Sequence, residues 1–454
     1  MTQLKKNEHY TCTVTGYNSE GMGVAHIHDR AVFIKDAIVG ETWEVLILKV
    51  TAGAVYAKGI ELLTPSPARI TPACPVAGKC GGCVLMHMDY AEELNFKLDK
   101  VNHALRRIGG SDFVIDEIIA SDEEFRYRNK GITAVGKQNG TLCAGFYRQR
   151  SHDIIPVQDC LLQSEIANRI NTAVLNWMNA HNIPAYNEET HKGSVRHIFT
   201  RTNRKGKVLV TIVSAKGFGT ATPTLAPALL EACPDVVGVV LNINKSKGNS
   251  VLAGDFHTLW GSDTIEETLN SYSFSISPQA FFQINPPQAE KLYNRAVEYA
   301  APNGGTVLDM YCGTGTITLC LSAKADKVIG AEIVPEAVEN AKINAARNNV
   351  NNAEFICADA AAAAQSFKDR GITPDCIVVD PPRKGMYPDA LQNIVDMRPN
   401  HIVYVSCDPA TLARDVKLLS EKGYHITKGT AVDMFPRTHH VETVVCLTKE
   451  KDVT

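Results

Sequence analysis

From about residue 271 onward, short apolar runs alternate with amphipathic helical patterns, and this alternation leaves few folds open. GTVLDMYCGTGTITLCLSA reads as strand, glycine loop and helix; KVIGAE reads as a second strand, followed by the helix VPEAVENAKINAARNN. AEFICADA, DCIVVD and HIVYV supply three more strands. The last runs into a helix at DPATLARD, where Asp408 is a good N-cap and Pro409 suits the first helical position. Such alternation predicts an α/β fold, a doubly wound Rossmann-like sheet whose ligands lie outside the carboxyl ends of its strands. GYHITKGTAVDMF and VETVVCLT are expected to close it as an antiparallel hairpin at the end of the sheet.

The glycine loop selects the cofactor. A pyrophosphate binder uses G-x-G-x-x-G, but here Gly313-Thr-Gly315 is followed by Thr316-Ile-Thr318, with no third glycine. Acids stand on successive strand ends instead. Asp309 precedes the loop, Glu332 ends the second strand where a carboxylate can bind ribose hydroxyls, and Asp359 ends the third, placed for an adenine amino group. S-adenosylmethionine carries a sulfonium and no phosphate, so it suits this series.

The fourth strand ends in Asp380-Pro381-Pro382-Arg383-Lys384-Gly385. The prolines fix the backbone there. Asp380 can accept from a target amine or from the N3–H of uracil, and Arg383 or Lys384 can meet RNA phosphate. On the next strand end stands Cys407. The helix start behind it favours thiolate, and the Asp408 charge opposes this. An amine target needs no thiol, because its nitrogen is already nucleophilic; a pyrimidine C5 does need one.

Upstream, residues 1–65 read as a small OB-like β-barrel, with short alternating runs such as YTCTV, AVFI and TWEVLILKV between glycine turns. Pro65 and Pro67 mark a linker. Then comes CPVAGKCGGCVLMHM, whose Cys74, Cys80 and Cys83 lie in a bent, glycine-rich loop. Soft ligands favour zinc or iron–sulfur, and C-x5-C-x2-C resembles cluster binding more than paired zinc knuckles. Cys160 is the best remote fourth ligand and His87 the second choice.

Residues 66–270 mix helices and strands, as an α+β unit would. Two acid-free stretches carry its basic charge: Arg126, Arg128, Lys130, Lys137, Arg148 and Arg150, with Tyr127, Phe146 and Tyr147 interleaved; and Lys192, Arg196, Arg201, Arg204, Lys205 and Lys207. Cations neutralise phosphates and aromatics stack on splayed bases, so RNA binding is expected. The formal net charge of −3 makes any such face local. Thirteen cysteines, no secretory signal at MTQLKKNEHY and no membrane-length apolar run predict a reducing cytoplasm, and a monomer is expected there.

Taken in order, SPQAFFQIN (277–285), LDMYCGTG, DPPRKG, VYVSCDPATLARD and HHVETVVCL resemble the RNA uridine-5-methyltransferases, the bacterial group that acts on 23S rRNA and tRNA. The likeness covers nearly the whole chain, with a TRAM-type barrel in front and a methyltransferase domain over 271–454. It implies a [4Fe–4S] cluster on Cys74, Cys80, Cys83 and Cys160. It implies S-adenosylmethionine contacts by Gln283, Tyr311, Glu332 and Asp380, with Asp359 and the Gly313 loop alongside. Cys407 would be the nucleophile and Glu442 the base. Tyr311 and Thr316 stand where phenylalanine and asparagine are frequent, and DPPRKG replaces a DPAR-like form. The separate barrel and cysteine loop point to 23S rRNA, with tRNA as the alternative. An RNA amino or cytosine methyltransferase, or a non-catalytic RNA-binding factor, are the competing classes.

Overall fold

The computed structural model describes residues 4–148, 151–248, 250–301 and 304–450. Arg150, the last cation of the first basic stretch, lies outside them.

At the N-terminus the strands His9–Tyr17, Gly23–Ile27, Arg30–Ile34, Thr42–Val50 and Val55–Thr64 close into a barrel. Alternate residues point inward and fill it, among them Val14, Val32, Ile34, Val45, Ile47 and Val55. A seven-stranded sheet follows, running in space from Asp255–Gly261 to Ile154–Pro156, backed by the helices Glu165–Ala180 and Thr222–Ala232.

The third unit is an eight-stranded sheet in the order Ala353–Cys357, Lys327–Glu332, Thr306–Met310, Cys376–Val379, His401–Ser406, Glu442–Lys449, Tyr424–Val432, Ile118–Ile119. Its first five strands are parallel and nearly all apolar, because helices cover both faces. Val307, Val378, Val403 and Val405 enter one core with the helix Pro286–Ala300. Their neighbours Leu308, Ile377, Ile402 and Tyr404 enter the other, with Tyr90–Arg107 and Pro409–Ser420. Strand order reverses around Thr306–Met310, which pairs with both Lys327–Glu332 and Cys376–Val379, so the ligand crevice opens above that strand.

Two features depart from expectation. The closing hairpin does not end the sheet: Glu442–Lys449 is inserted between His401–Ser406 and Tyr424–Val432, and Ile118–Ile119 forms the edge. Accordingly, the helix Tyr90–Arg107 and Ile115 pack in the core of this sheet, although they lie far upstream in sequence. Local pattern does not reveal which sheet a short edge strand joins.

Candidate active site

Strand register sets the crevice. Ser406 pairs with Thr443, so Cys407, one residue beyond, and Glu442, one residue before, stand at neighbouring strand ends. Val379 pairs with Tyr404 and with Met310, which brings Asp380 and Tyr311 to the same rim. Asp408 caps the helix behind Cys407, its Oδ1 accepting from the N–H groups of Ala410 at 2.9 Å and Thr411 at 3.0 Å.

The electrostatics there are one-sided. Burial, then the Asp380 charge, pushes the Glu442 carboxyl up to about 8, with Arg383 opposing. Burial alone pushes Asp380 up to about 7. Cys407 is pushed up to about 11, first by burial, then by Glu442 and Asp380, against Arg383. The expected thiolate at the helix start is therefore corrected. Burial is the first cause, followed by the Glu442 and Asp380 charges, and the cap already engages the first free N–H groups of the helix.

On the cofactor side, Glu332 holds the glycine loop: its Oε2 accepts from the Gly313 N–H at 3.1 Å and its Oε1 from those of Ile333 and Val334. Gly313 (φ 54°) and Gly315 (φ 84°) adopt left-handed backbone, as does Tyr311 (φ 65°), where a bulky side chain is strained. A Cβ on Gly315 would meet Phe355 at 3.1 Å. Asp359 caps the helix Ala360–Asp369 through Oδ1, leaving its other oxygen free of that bond. Asp309, expected to face a cation, is instead fully buried and accepts from the Thr318 hydroxyl at 2.5 Å. Burial raises it to about 7, and it secures the loop from behind.

Gln283 reaches the crevice on a loop held from the seven-stranded sheet. Asn129 Nδ2 donates to the Gln283 carbonyl at 3.0 Å, and Arg201 donates to the carbonyls of Pro278 and Ala280. The hydroxyl of buried Tyr293 faces Thr316, Gln283 and Asp380. Asn129, Arg201 and Tyr293 are residues that sequence reasoning missed in this role.

The basic stretches serve the fold more than expected. Arg126 pairs with Asp159, Arg196 is buried on Glu188, Arg201 is 3% exposed, Arg204 pairs with Glu290 and Lys207 with Asp235. Tyr127 is buried too, its hydroxyl donating to the Pro436 carbonyl, so it is no stacking platform. Lys137, Arg148, Lys192 and Lys205 face solvent.

Cys74, Cys80, Cys83 and Cys160 line one cavity walled by Met86, Phe146, Val157 and Leu161. His87, the second choice as a ligand, is not among its walls. Burial, then the neighbouring thiols, raises Cys83 to about 12, and burial raises Cys80 and Cys160. Among the described residues no three His, Cys, Asp or Glu side chains are grouped so as to hold a single metal ion. The four expected cysteines therefore share one apolar space and offer it soft thiol donors.

Comparisons with known proteins identify the family. The family model described as tRNA (Uracil-5-)-methyltransferase matches residues 89–450, and the TRAM domain matches residues 3–60. An uncharacterized RNA methyltransferase of Clostridium tetani is 44% identical, covering 98% of this chain and 97% of its own. Another, from Bacillus cereus, is 39% identical over 98% of both chains. The crystal structure of Pyrococcus abyssi tRNA (uracil-54, C5)-methyltransferase in complex with S-adenosyl-L-homocysteine superposes with a TM-score of 0.78 at 28% identity, covering 96% of this chain and 99% of that one. The chain belongs to the tRNA (uracil-5-)-methyltransferase family, the RNA uracil-5-methyltransferases that use S-adenosylmethionine.

Proposed function

We propose that this family member methylates uridine C5 in 23S rRNA, through a covalent adduct between Cys407 and C6 of the base. The observation that carries the reading is the register that sets Cys407 beside Glu442 at the crevice rim. C5 of uracil is too weak a nucleophile to take a methyl group unaided. Cys407, once deprotonated, adds to C6, and the ring electrons pass to C5 and O4. S-adenosylmethionine supplies an electrophilic methyl group and leaves as the neutral thioether. C5 takes that methyl, Glu442 removes the C5 proton, and the C6–S bond breaks to return the thiolate and a 5-methyluridine.

Around this chemistry, Gln283, Tyr311, Glu332, Asp359 and Asp380 would hold the cofactor on the Gly313 loop. When ionised, Asp380 and Glu442 make the crevice anionic, which favours a sulfonium over the thioether product. The target uridine must leave its stack, so a looped or refolded RNA is expected. Cys74, Cys80, Cys83 and Cys160 would hold a [4Fe–4S] cluster as a structural element. Anaerobic purification should give a brown protein with about four irons per chain, the number such a cluster contains; a colourless, zinc-bearing one would sink that assignment.

tRNA stays as a second reading on a specific observation. The tRNA (uracil-54, C5)-methyltransferase aligns over almost its full length, so the presence of a front barrel does not separate the two substrates. Mass spectrometry of 5-methyluridine in purified 23S rRNA and tRNA, from cells with and without the gene, decides. Loss from 23S rRNA alone supports the proposal, loss from tRNA alone overturns the substrate, and no loss from either overturns the reading.

A further inference from the structure

Just before Glu442, the chain runs through a connection, residues 433–440, that is held by side chains from every neighbouring part of the molecule. Lys97 is fully buried and bridges Glu93 and Asp433 at 2.6 Å each, both also fully buried. Its Nζ donates as well to the Phe435 carbonyl at 3.2 Å. Tyr90 donates its hydroxyl to Asp433 at 2.8 Å. Arg437 donates its backbone N–H to Glu93 at 2.7 Å and Nη1 to the Met88 carbonyl at 2.9 Å, and its Nη2 meets Glu124. Lys100 donates to the His439 carbonyl at 2.8 Å. From the cysteine loop, the Leu85 N–H donates to the Arg437 carbonyl at 3.2 Å.

Buried ion networks are a poor way to gain stability: apolar residues of similar volume frequently do as well or better. Here the network ties residues 433–440 to Glu93, Met88 and Glu124 at once. Arg437 also has φ 68°, a left-handed backbone that is strained for a non-glycine residue and persists only where its surroundings dictate it. The Arg437 backbone is pinned on both sides, and five residues later the chain delivers Glu442 to the end of its strand, opposite Val432.

We propose that Lys97 and Arg437 are positioning residues for Glu442: the clamp they form on residues 433–440 sets where the base stands relative to Cys407. The inference rests on the mechanism proposed above. Formation of the Cys407 adduct does not need Glu442, whereas its breakdown does. A displaced base therefore leaves RNA covalently attached to the protein, which a merely less stable enzyme would not do.

The test uses Lys97→Met, Arg437→Lys and Tyr90→Phe in the full chain, with Glu442→Gln as the reference that abolishes proton removal. Each variant is mixed with RNA and S-adenosylmethionine, and adduct is measured on denaturing gels beside kcat and both KM values. We expect kcat to fall by about tenfold or more in Lys97→Met, with the KM for S-adenosylmethionine within about twofold, as befits a lost transition-state interaction. Adduct should accumulate well above the wild-type level in all three variants, least in Arg437→Lys, which keeps the charge. If Lys97→Met does not fold, Tyr90→Phe decides, since it removes one hydroxyl from the same clamp. Variants that lose rate without accumulating adduct, or that match wild type, overturn the inference. Should Glu442→Gln trap adduct while the clamp variants do not, only this inference falls; a wild type that makes no 5-methyluridine overturns the mechanism itself.

Discussion

Raising the pH should speed the two halves of the reaction by different amounts, because the thiol and the base are both held far above their ordinary values. Glu442 is held at about 8 and Cys407 at about 11. From pH 7 to pH 9, the carboxylate fraction of Glu442 then climbs from roughly one tenth to roughly nine tenths and levels off. Over the same interval the thiolate fraction of Cys407 climbs roughly a hundredfold and is still rising. Adduct formation should therefore gain roughly a hundredfold between pH 7 and pH 9, and adduct breakdown only about tenfold, with a plateau above pH 9. Cofactor charge lowers both groups in the same direction, so the order of the two profiles persists. Rapid-quench single turnovers on end-labelled RNA, resolved on denaturing gels, give both rates at each pH. A breakdown rate that is flat from pH 6.5 to 9 would refute Glu442 as the titrating base. A formation rate that levels off below pH 8 would refute the raised thiol.

Cys407→Ala should abolish both methylation and adduct while leaving cofactor binding within a fewfold of wild type; residual 5-methyluridine by mass spectrometry would end the covalent scheme. Preference for S-adenosylmethionine over S-adenosylhomocysteine, measured by calorimetry, should grow as pH rises through about 7 and 8, because Asp380 and Glu442 become carboxylates there and only the sulfonium gains from them; a constant ratio from pH 6 to 9 contradicts it. Lys192→Ala with Lys205→Ala should weaken RNA binding and flatten its salt dependence without altering the melting temperature. Arg201→Ala should do the reverse, lowering stability by about 1–3 kcal/mol because the carbonyls of Pro278 and Ala280 lose a buried donor; thermal melts and filter binding on both separate the two outcomes.

The placement of the candidate residues was legible because they sit at strand ends, and the strands announce themselves by apolar runs of the right length. VLDM, KVIGAE, CIVV and HIVYV became parallel strands, and the residues directly after them form the crevice rim. The fate of individual polar groups was less visible. Asp309 looked like a ligand because it precedes the glycine loop, but the sheet buries it and the Thr318 hydroxyl donates to one of its oxygens. The cations of Arg126–Arg150 and Lys192–Lys207 looked like an RNA face because no acid interrupts either stretch in sequence. Asp159, Glu188, Glu290 and Asp235 reach Arg126, Arg196, Arg204 and Lys207 from elsewhere in the chain, and a linear reading cannot see partners that only the fold supplies. Ile118–Ile119 and the helix Tyr90–Arg107 escaped assignment to the C-terminal sheet for the same reason.

That long-range placement also explains how the crevice can tolerate its own chemistry. Asp380, Glu442 and Cys407 share a small desolvated rim in which each negative charge discourages the next, so without ligands the stable form carries protons there. Arg383 is the counter-charge common to Glu442 and Cys407, and it is not enough to return either to its ordinary range. Such an arrangement would collapse towards pairing or hydration if its backbone could adjust. Sheet register holds the strand ends on one side, and the proposed Lys97–Arg437 clamp would hold the approach to Glu442 on the other. Under the proposed mechanism a cationic ligand relieves these unfavourable electrostatics, and a Glu442 carboxyl at about 8 can take a proton from carbon near neutral pH.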